Sequence, residues 1–217
     1  MIKVKNINHS YPDGDSYKQI LKDVDFEFEE GKLYTIEGPS GSGKTTLLSI
    51  IAGLDVPDSG EVMFMDDNVL KLGLNNYRRK FASIVFQSYN LIEYMTSIEN
   101  VNSAIEVSSS KSNYKLAKDT LNSMGFDDAK NNRLVNKLSG GEQQRVAIAR
   151  CLATNSKVVL ADEPTGNLDS ETEDQILSIF KDLAHKEKKC VIIVTHSKKV
   201  SSIADVKLRL KNKKLVS

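Results

Sequence analysis

A lysine at the end of a glycine-rich segment is the first residue whose placement suggests chemistry. Residues 38–45 spell GPSGSGKT, matching the pattern G-x-x-x-x-G-K-[ST], and they lie between apolar runs at 33–36 and 46–52. Glycines let backbone N–H groups turn toward an anion at the start of a helix. We therefore expect Lys44 to reach the β- and γ-phosphates of a nucleotide and Thr45 to bind Mg²⁺. The predicted phosphate-binding residues are Gly38, Pro39, Ser40, Gly41, Ser42, Gly43, Lys44, Thr45 and Thr46.

Two adjacent acids follow a second apolar run. Residues 158–161 are apolar, and Asp162 and Glu163 come directly after them. Ligands of open α/β sheets bind at the carboxyl ends of the strands, so Asp162 is placed to hold Mg²⁺ and Glu163 to polarise an attacking water. The alternative for the acids is that they only end a buried strand. The alternative for residues 38–45 is a glycine-rich turn that binds no ligand. The two motifs together favour a magnesium–nucleotide site.

A second glycine motif, LSGGEQ at 138–143, precedes another predicted helix. Ser139 and Glu142 have the spacing of a capping box, which would explain them structurally. A capped helix does not need two glycines, however, because glycine is unfavourable in helices. Paired glycines at a helix N-terminus indicate a second anion site. Since there is only one set of metal ligands, we expect this end to serve a nucleotide bound by another copy. The residues concerned are Leu138, Ser139, Gly140, Gly141, Glu142 and Gln143.

The elements that must position these motifs alternate along the chain. Apolar runs predict strands at 2–7, 24–28, 32–37, 83–86, 158–161 and 191–194. A helix is predicted at 46–52, and helical periodicity runs through 99–130 with a loop at 108–112. This alternation predicts a three-layer α/β fold.

Several finer predictions concern packing. The expected core positions of the 99–130 segment are Leu116, Leu121 and Met124. A capping box is predicted to begin at Ser170, and the basic residues 211–214 are predicted to form a solvated tail. His9 and His185 are expected to be structural only.

Composition limits the classes of protein that fit. The 217 residues are 40% hydrophobic and 27% charged, so a folded core is expected. Lys and Arg total 30 against 29 Asp and Glu, a balance that argues against a protein whose task is binding nucleic acid. Cys151 and Cys190 are too few for a disulfide framework or a four-ligand zinc site, and we expect reduced core thiols. No apolar run is long enough to span a bilayer, so a soluble chain is expected.

The motifs together resemble the ATP-binding subunit of ABC transporters, over the whole chain and in the family's order. Residues 38–45 resemble the Walker A motif, 158–163 the Walker B motif, and 138–143 the family signature. Gln87 is placed like the Q-loop glutamine, and His196, between Thr195 and Ser197, like the switch histidine. Tyr11 is placed like the aromatic residue that stacks on adenine, although simple packing is an alternative. The segment that resembles the D-loop is Asn167, Leu168 and Asp169.

The resemblance implies a fold and a mechanism. The fold is a P-loop NTPase (RecA-like) core with an N-terminal antiparallel β sub-domain and an inserted α-helical sub-domain. One ABC ATPase domain spans 1–217, with a catalytic core at 1–87 plus 158–217 and a helical sub-domain with the signature at 88–157. Two copies sandwich two ATP molecules head to tail. Glu163 is then the general base or water-orienting carboxylate, His196 contacts the γ-phosphate, and Gln87 touches Mg²⁺.

The resemblance also implies partners. The segment after Gln87, residues 88–95, would dock a coupling helix of a separately encoded membrane permease at the cytoplasmic face of the membrane. The triplet Asn90-Leu91-Ile92, residues 165–169 and the compact length resemble the MacB/LolD and bacitracin-resistance (BceA-like) type. Such subunits power export or extraction of antimicrobial peptides, macrolides or lipoproteins. An FtsE-like cell-division ATPase and an amino-acid importer ATPase remain alternatives, whereas a small-molecule kinase would have no use for residues 138–143.

Overall fold

Two sheets and a set of helices form the chain in the computed structural model, which describes residues 1–166 and 168–216. The strands are β1 (Ile2–Asp13), β2 (Ser16–Phe28), β3 (Leu33–Glu37), β4 (Ser59–Phe64), β5 (Asp67–Asn68), β6 (Ala82–Val85), β7 (Val158–Asp162), β8 (Cys190–Val194), β9 (Val206–Lys211) and β10 (Lys214–Val216). The helices are α1 (Lys44–Ile51), α2 (Val69–Leu72), α3 (Leu74–Lys80), α4 (Ser97–Ser109), α5 (Tyr114–Ser123), α6 (Asp128–Asn131), α7 (Gly140–Ala153), α8 (Ser170–His185) and α9 (Lys198–Ser202), with a 3₁₀ turn at Val135–Lys137.

A four-stranded antiparallel sheet has the order β2-β1-β4-β5. Its long β1–β2 hairpin pairs Ile2 with Phe28 at one end and Asp13 with Ser16 at the other. The strands predicted at 2–7 and 24–28 are the apolar halves of this hairpin. The remaining halves are mostly polar, and among them Leu21 is fully buried, so they show no apolar alternation that could have predicted them.

A six-stranded sheet has the order β10-β9-β3-β8-β7-β6, and β9, β3, β8, β7 and β6 run parallel. Its central strands are buried on both faces, which explains their uninterrupted apolar sequences. Because parallel strands end at one edge, this edge carries the phosphate loop after β3, Glu163 after β7, Thr195 and His196 after β8, and Gln87 after β6.

Two hydrophobic cores flank the parallel sheet. One joins it to α1 and the antiparallel sheet, and the other joins it to α4, α5, α7 and α8. Leu121 and Met124 are buried as predicted, but Leu116 is 40% exposed, so that prediction was wrong. Helix α5 turns Ala117 and Leu121, which are one helical turn apart, toward the core and leaves Leu116 at the flank. Cys151 and Cys190 are buried free thiols.

The observed helix boundaries differ from the predicted ones at further positions. The segment 99–130 contains α4, α5 and α6, and α4 continues to Ser109, into the predicted loop. Helix α8 is capped by Asp169, which accepts from the Thr172 N–H, so the capping box predicted to begin at Ser170 was wrong. Asp and Ser are both good caps, and their order alone does not decide between them.

The C-terminal basic residues form a hairpin instead of the predicted tail. Strand β9 ends at Lys211, β10 begins at Lys214, and Asn212 and Lys213 make the turn with φ of 50° and 66°. The Lys213 carbonyl accepts from the Lys22 N–H at 2.9 Å, which fastens the turn to β2. The parallel pairing of β9 with β3 brings this turn beside the phosphate loop. Within residues 1–166 and 168–216, no helix is long and apolar enough to cross a membrane.

Candidate nucleotide site

The phosphate loop closes around the side chain of Lys44, which is 6% exposed. Its ammonium group donates to the Gly38 carbonyl at 2.9 Å and to the Pro39 carbonyl at 3.1 Å. Gly43 caps α1 with φ of 102°, and a Cβ there would lie 2.6 Å from Ile20 Cγ2, so only glycine fits. The loop therefore has its cation in place, held by neutral acceptors that an anionic phosphate can replace.

Two oxygen donors meet beside this loop. Thr45 Oγ1 donates to Asp162 Oδ2 at 2.9 Å, which joins the start of α1 to the end of β7. Hydroxyl and carboxylate oxygens are hard donors that suit Mg²⁺, which usually takes its other ligands from water and substrate phosphates. In the described part of the chain, no group of three or more His, Cys, Asp or Glu side chains could hold a metal ion alone. The donor set thus fits a magnesium ion that arrives with a nucleotide.

The Glu163 carboxylate is fixed by the end of β8. Its Oε2 accepts from Thr195 Oγ1 and from the His196 N–H, both at 3.2 Å, and its Oε1 lies 3.1 Å from His196 Nε2. Only 14% of the Glu163 side chain is exposed. Its backbone φ of 46° is unfavourable for a residue with a Cβ, by about 1–3 kcal/mol, and persists only where surrounding contacts determine it. The arrangement holds one carboxylate at a set orientation at the strand edge.

Two cavities are lined by most of the residues that are predicted to bind a nucleotide within one copy. A cavity of about 780 Å³ is lined by residues 38–42 of the phosphate loop and by Thr195 and His196. A second, of about 510 Å³, is lined by Gln87, Glu163, Thr165, Gly166, Glu173, His196 and Ser197. Because His196 lines both cavities, the structure brings the phosphate loop, Gln87, Glu163 and His196 to one region.

Four cations around the larger cavity were missed by the sequence analysis: Lys18, Arg209, Lys211 and Lys213. In the described residues, none of them has a carboxylate within ion-pair distance. The basic run 211–214 was the available signal, but its position beside the phosphate loop depends on the β3–β9 pairing. These cations add positive potential where a triphosphate would bind.

Tyr11 lies outside both of these cavities. It is on β1 opposite Lys18, and 41% of the residue is exposed. Its hydroxyl donates to Asp55 Oδ2 at 3.1 Å, and its ring meets that of His9 edge to face with 4.7 Å between centroids. The ring has open surface and a fixed hydroxyl.

The signature segment forms the start of α7. Ser139 caps the helix and Glu142 accepts from the Ser139 N–H at 2.9 Å, so the capping box is confirmed. That backbone hydrogen bond, followed by Lys130 at 3.0 Å, lowers the pKa of Glu142 below its usual range. Leu138 is buried, and its carbonyl accepts from Gln143 Nε2 at 3.1 Å. Among the residues described, none of this segment lines the cavities at the phosphate loop.

The two glycines of the signature face neighbours in the same chain. A Cβ on Gly140 would lie 3.0 Å from the Tyr89 hydroxyl, and one on Gly141 would lie 3.5 Å from Leu168 Cδ2. Leu168, in the segment that resembles the D-loop, therefore lies beside the signature helix, whereas Asn167 lies outside the described residues. Hydrogen bonds from the Thr172 N–H and then its hydroxyl lower the pKa of Asp169.

Comparison with known proteins identifies related chains. The family described as "ABC transporter" matches residues 21–166. The uncharacterized ABC transporter ATP-binding protein YclH of Bacillus subtilis is 46% identical over 193 residues, covering 88% of this chain and 85% of that protein. The lipoprotein-releasing system ATP-binding protein LolD of Rickettsia bellii is 37% identical over 214 residues, covering 98% of this chain and 96% of LolD.

Comparison with solved structures points to the same family. The ATP-binding cassette MJ0796, in a dimeric post-hydrolysis state bound to ADP and Pi, superposes with a TM-score of 0.94 at 37% identity and covers 100% of this chain and 97% of its own. This similarity confirms the predicted fold, a P-loop NTPase core with an antiparallel β sub-domain and an inserted α-helical sub-domain.

Proposed function

Because the chain belongs to the family of ABC transporter ATP-binding subunits of the MacB/LolD type and is an ATPase, we propose that it works as a head-to-tail pair of copies that drives a separate membrane permease. Two ATP molecules would lie between the copies, each bound by the phosphate loop of one and the signature segment of the other. The observation that carries this proposal is the Glu163 carboxylate, held by Thr195 and His196 at the edge where Thr45 meets Asp162.

Phosphate binding would rearrange the closed loop. The Lys44 ammonium would exchange its two carbonyl acceptors for β- and γ-phosphate oxygens, a stronger charge-assisted contact. The backbone N–H groups of the loop would complete the cradle. Thr45, Asp162 and Gln87 would hold Mg²⁺, which supplies positive charge to the phosphate oxygens. The nucleotide-binding set is Tyr11, Gly38, Pro39, Ser40, Gly41, Ser42, Gly43, Lys44, Thr45, Thr46 and Gln87.

Hydrolysis would use Glu163 and His196. Glu163 would accept a hydrogen bond or proton from the attacking water, whose oxygen bonds to the γ-phosphorus while the bond to the bridging oxygen breaks. The contacts from Thr195 and His196 fix the carboxylate before the reaction, which lowers the cost of orienting it. His196 would contact the γ-phosphate from the next strand end.

The signature segment would act on the ATP of the second copy. The exposed N-terminus of α7, with Ser139, Gly140 and Gly141, offers N–H groups to a γ-phosphate. Leu138, Glu142 and Gln143 would hold this turn, and Leu168 and Asp169 would lie at the contact between copies. Once the γ-phosphate is cleaved, the ligand shared by the two copies is lost, so the pair is expected to loosen.

The permease would dock in a groove of about 350 Å³ between the catalytic core, 1–87 plus 158–217, and the helical sub-domain, 88–157. Tyr89 and Ile92 supply apolar surface, and three arginines line the same groove: Arg78, Arg79 and Arg150. A coupling helix with an apolar face and an acidic residue would complement it. This contact would hold the chain at the cytoplasmic face of the membrane.

The substrate class we favour is lipoprotein-like, with export or extraction as the direction of transport. The support is the match to LolD, described as part of a lipoprotein-releasing system, over nearly the full length of both chains. A neighbouring reading frame that encodes a four-span permease with a large extracytoplasmic domain would agree with this proposal. A permease of amino-acid importers in that position would contradict it.

The decisive experiment replaces the carboxylate of Glu163. Glu163→Gln keeps the shape of the side chain but cannot accept the proton, so we expect ATP binding to persist while hydrolysis falls by about 100-fold or more. The unhydrolysed ATP should trap the pair of copies, which light scattering with saturating ATP and Mg²⁺ would detect. Glu30→Gln is the matched control, because Glu30 is exposed before β3, at the opposite end of that strand from the phosphate loop. Unchanged turnover in Glu163→Gln, or a monomer under trapping conditions, would contradict the proposal.

A further inference from the structure

A buried histidine lies next to Tyr11, between two carboxylates. His9 is 5% exposed, its Nε2 lies 3.5 Å from Asp55 Oδ2, and its Nδ1 lies 3.6 Å from Asp58 Oδ1. Among the described residues, neither ring nitrogen makes a hydrogen bond of ordinary geometry. The nitrogens of a buried histidine ring usually make hydrogen bonds, so the position of His9 is not explained by core packing alone.

Asp55 connects this histidine to Tyr11. The same Oδ2 atom that faces His9 accepts the Tyr11 hydroxyl at 3.1 Å. The two rings also meet edge to face, with an angle of 85° between their planes. The Tyr11 ring is therefore held at its hydroxyl by Asp55 and along its side by His9, while its exposed surface stays free for a ligand.

Asp55 is in turn fixed to the helix of the phosphate loop. Its N–H donates to the Ser49 carbonyl of α1 at 3.3 Å, and its Oδ1 accepts from the Val56 N–H at 2.8 Å. Helix α1 begins with Lys44 and Thr45. The chain of contacts thus runs from the phosphate loop through α1 and Asp55 to the aromatic ring on β1.

We propose that His9 and Asp55 are positioning residues that set the Tyr11 ring at a defined place relative to the phosphate loop; this rests on the proposed function, in which Tyr11 stacks on adenine. A bound nucleotide would contact the Tyr11 ring with its base and the phosphate loop with its phosphates at the same time. A ring free to swing would lose part of its stacking before each binding event. The two residues therefore affect recognition of the base and leave recognition of the phosphates unchanged.

The test compares two ligands of the full-length chain. ATP engages both sites, whereas inorganic tripolyphosphate with Mg²⁺ occupies only the phosphate loop and should inhibit ATPase activity competitively. Tyr11→Phe and His9→Gln each disturb one contact of the network, whereas Asp55→Ala removes the oxygen that both Tyr11 and His9 face. We expect each to raise the KM for ATP by about 3- to 10-fold, the effect of one hydrogen bond or ring contact, with little change in kcat. The inhibition constant of tripolyphosphate should stay at the wild-type value.

Two reference variants separate the possible outcomes. Asp66→Asn, an exposed acid between β4 and β5, should match the wild type. Tyr11→Ala should raise the KM for ATP more than any other variant; if it does not, base stacking in the proposed function is wrong and this inference fails with it. If Tyr11→Ala acts as expected but the three network variants match the wild type, the positioning role is overturned and the proposed function stands. Equal weakening of ATP and tripolyphosphate would also overturn it, because the network would then support the phosphate loop generally.

Discussion

The strand edge at the phosphate loop and the start of α7 would both contact phosphate in the proposed function, but they differ in how many of the required groups each one supplies. At the strand edge, the phosphate loop follows β3, Asp162 and Glu163 lie at the end of β7, and His196 follows β8. Thr45 of the loop contacts Asp162, and Glu163 contacts His196. At α7, Ser139 caps a helix, and in the described residues its segment lines neither cavity. In the proposed function, the first region supplies the metal donors, the base and the cation from one chain, whereas the second supplies an anion-binding helix end. This difference is what a site shared between two copies requires.

The largest expected effect tests the completeness of the first region. Lys44→Ala removes the ammonium that would meet the β- and γ-phosphates, and we expect ATP turnover to fall by about 100-fold or more. Among the described residues the ammonium donates to two carbonyls of its own loop, so the loss of stability should stay within about 1–3 kcal/mol. ATPase assays and thermal melts measure the two effects. Lys181→Ala, on the exposed side of α8, is the control, and turnover in Lys44→Ala equal to that control would disprove the role of Lys44.

The second prediction tests whether the signature segment acts on another copy. Ser139→Arg puts a bulky side chain at the start of α7, and we expect at least a 10-fold loss of turnover, an approximate figure for blocking one set of oxyanion donors, with ATP affinity kept. Thr96→Arg is a matched control, because Thr96 caps α4 with the same kind of capping box. Loss of the cap alone should cost each variant about 1 kcal/mol.

Mixing variants sharpens this second test. A Ser139→Arg copy retains its phosphate loop and a Lys44→Ala copy retains its signature segment, so a mixed pair contains one intact composite site. We expect the mixture to hydrolyse ATP faster than either variant alone. A mixture no more active than its components would count against sharing of the site.

The smallest effect concerns the contact between Gly140 and Tyr89. A methyl group in Gly140→Ala would press on the Tyr89 hydroxyl at 3.0 Å. We expect the substitution to be less destabilising in a Tyr89→Phe background by about 0.5–1 kcal/mol, which a double-mutant cycle of urea unfolding can measure. A coupling energy of zero would contradict the prediction, because the Tyr89 hydroxyl would then not restrict a side chain at position 140.

The sequence predicted the site better where residues are consecutive than where they meet through the fold. The phosphate loop, the Asp162-Glu163 pair and the signature each lie within eight residues, and the parallel sheet then placed the first two at one edge. Their chemical roles stay predictions. Leu116 was misplaced because helical periodicity does not say which flank faces the core. The hairpin at 211–214 was missed because its location depends on pairing with a strand more than 170 positions earlier.

The contacts of His9 with Asp55, Asp58 and Tyr11 are a second case in which the sequence could not predict which residues meet in the fold. Nothing near position 9 indicates that two carboxylates from the segment after α1 will surround it. Such a contact links residues 44 or more positions apart, and its polar partners follow no periodic pattern. A lone histidine in a strand is therefore expected to be structural until the fold places Asp55 and Tyr11 beside it.

The left-handed backbone at Glu163 has a consequence for how this position tolerates change. With φ at 46°, the main chain there suits glycine, asparagine or aspartate and disfavours β-branched residues. In a saturation library, valine, isoleucine and threonine at this position should therefore yield poorly folded protein, whereas asparagine should fold well and yet be inactive. Folding yield and catalytic competence at this one site would then vary independently.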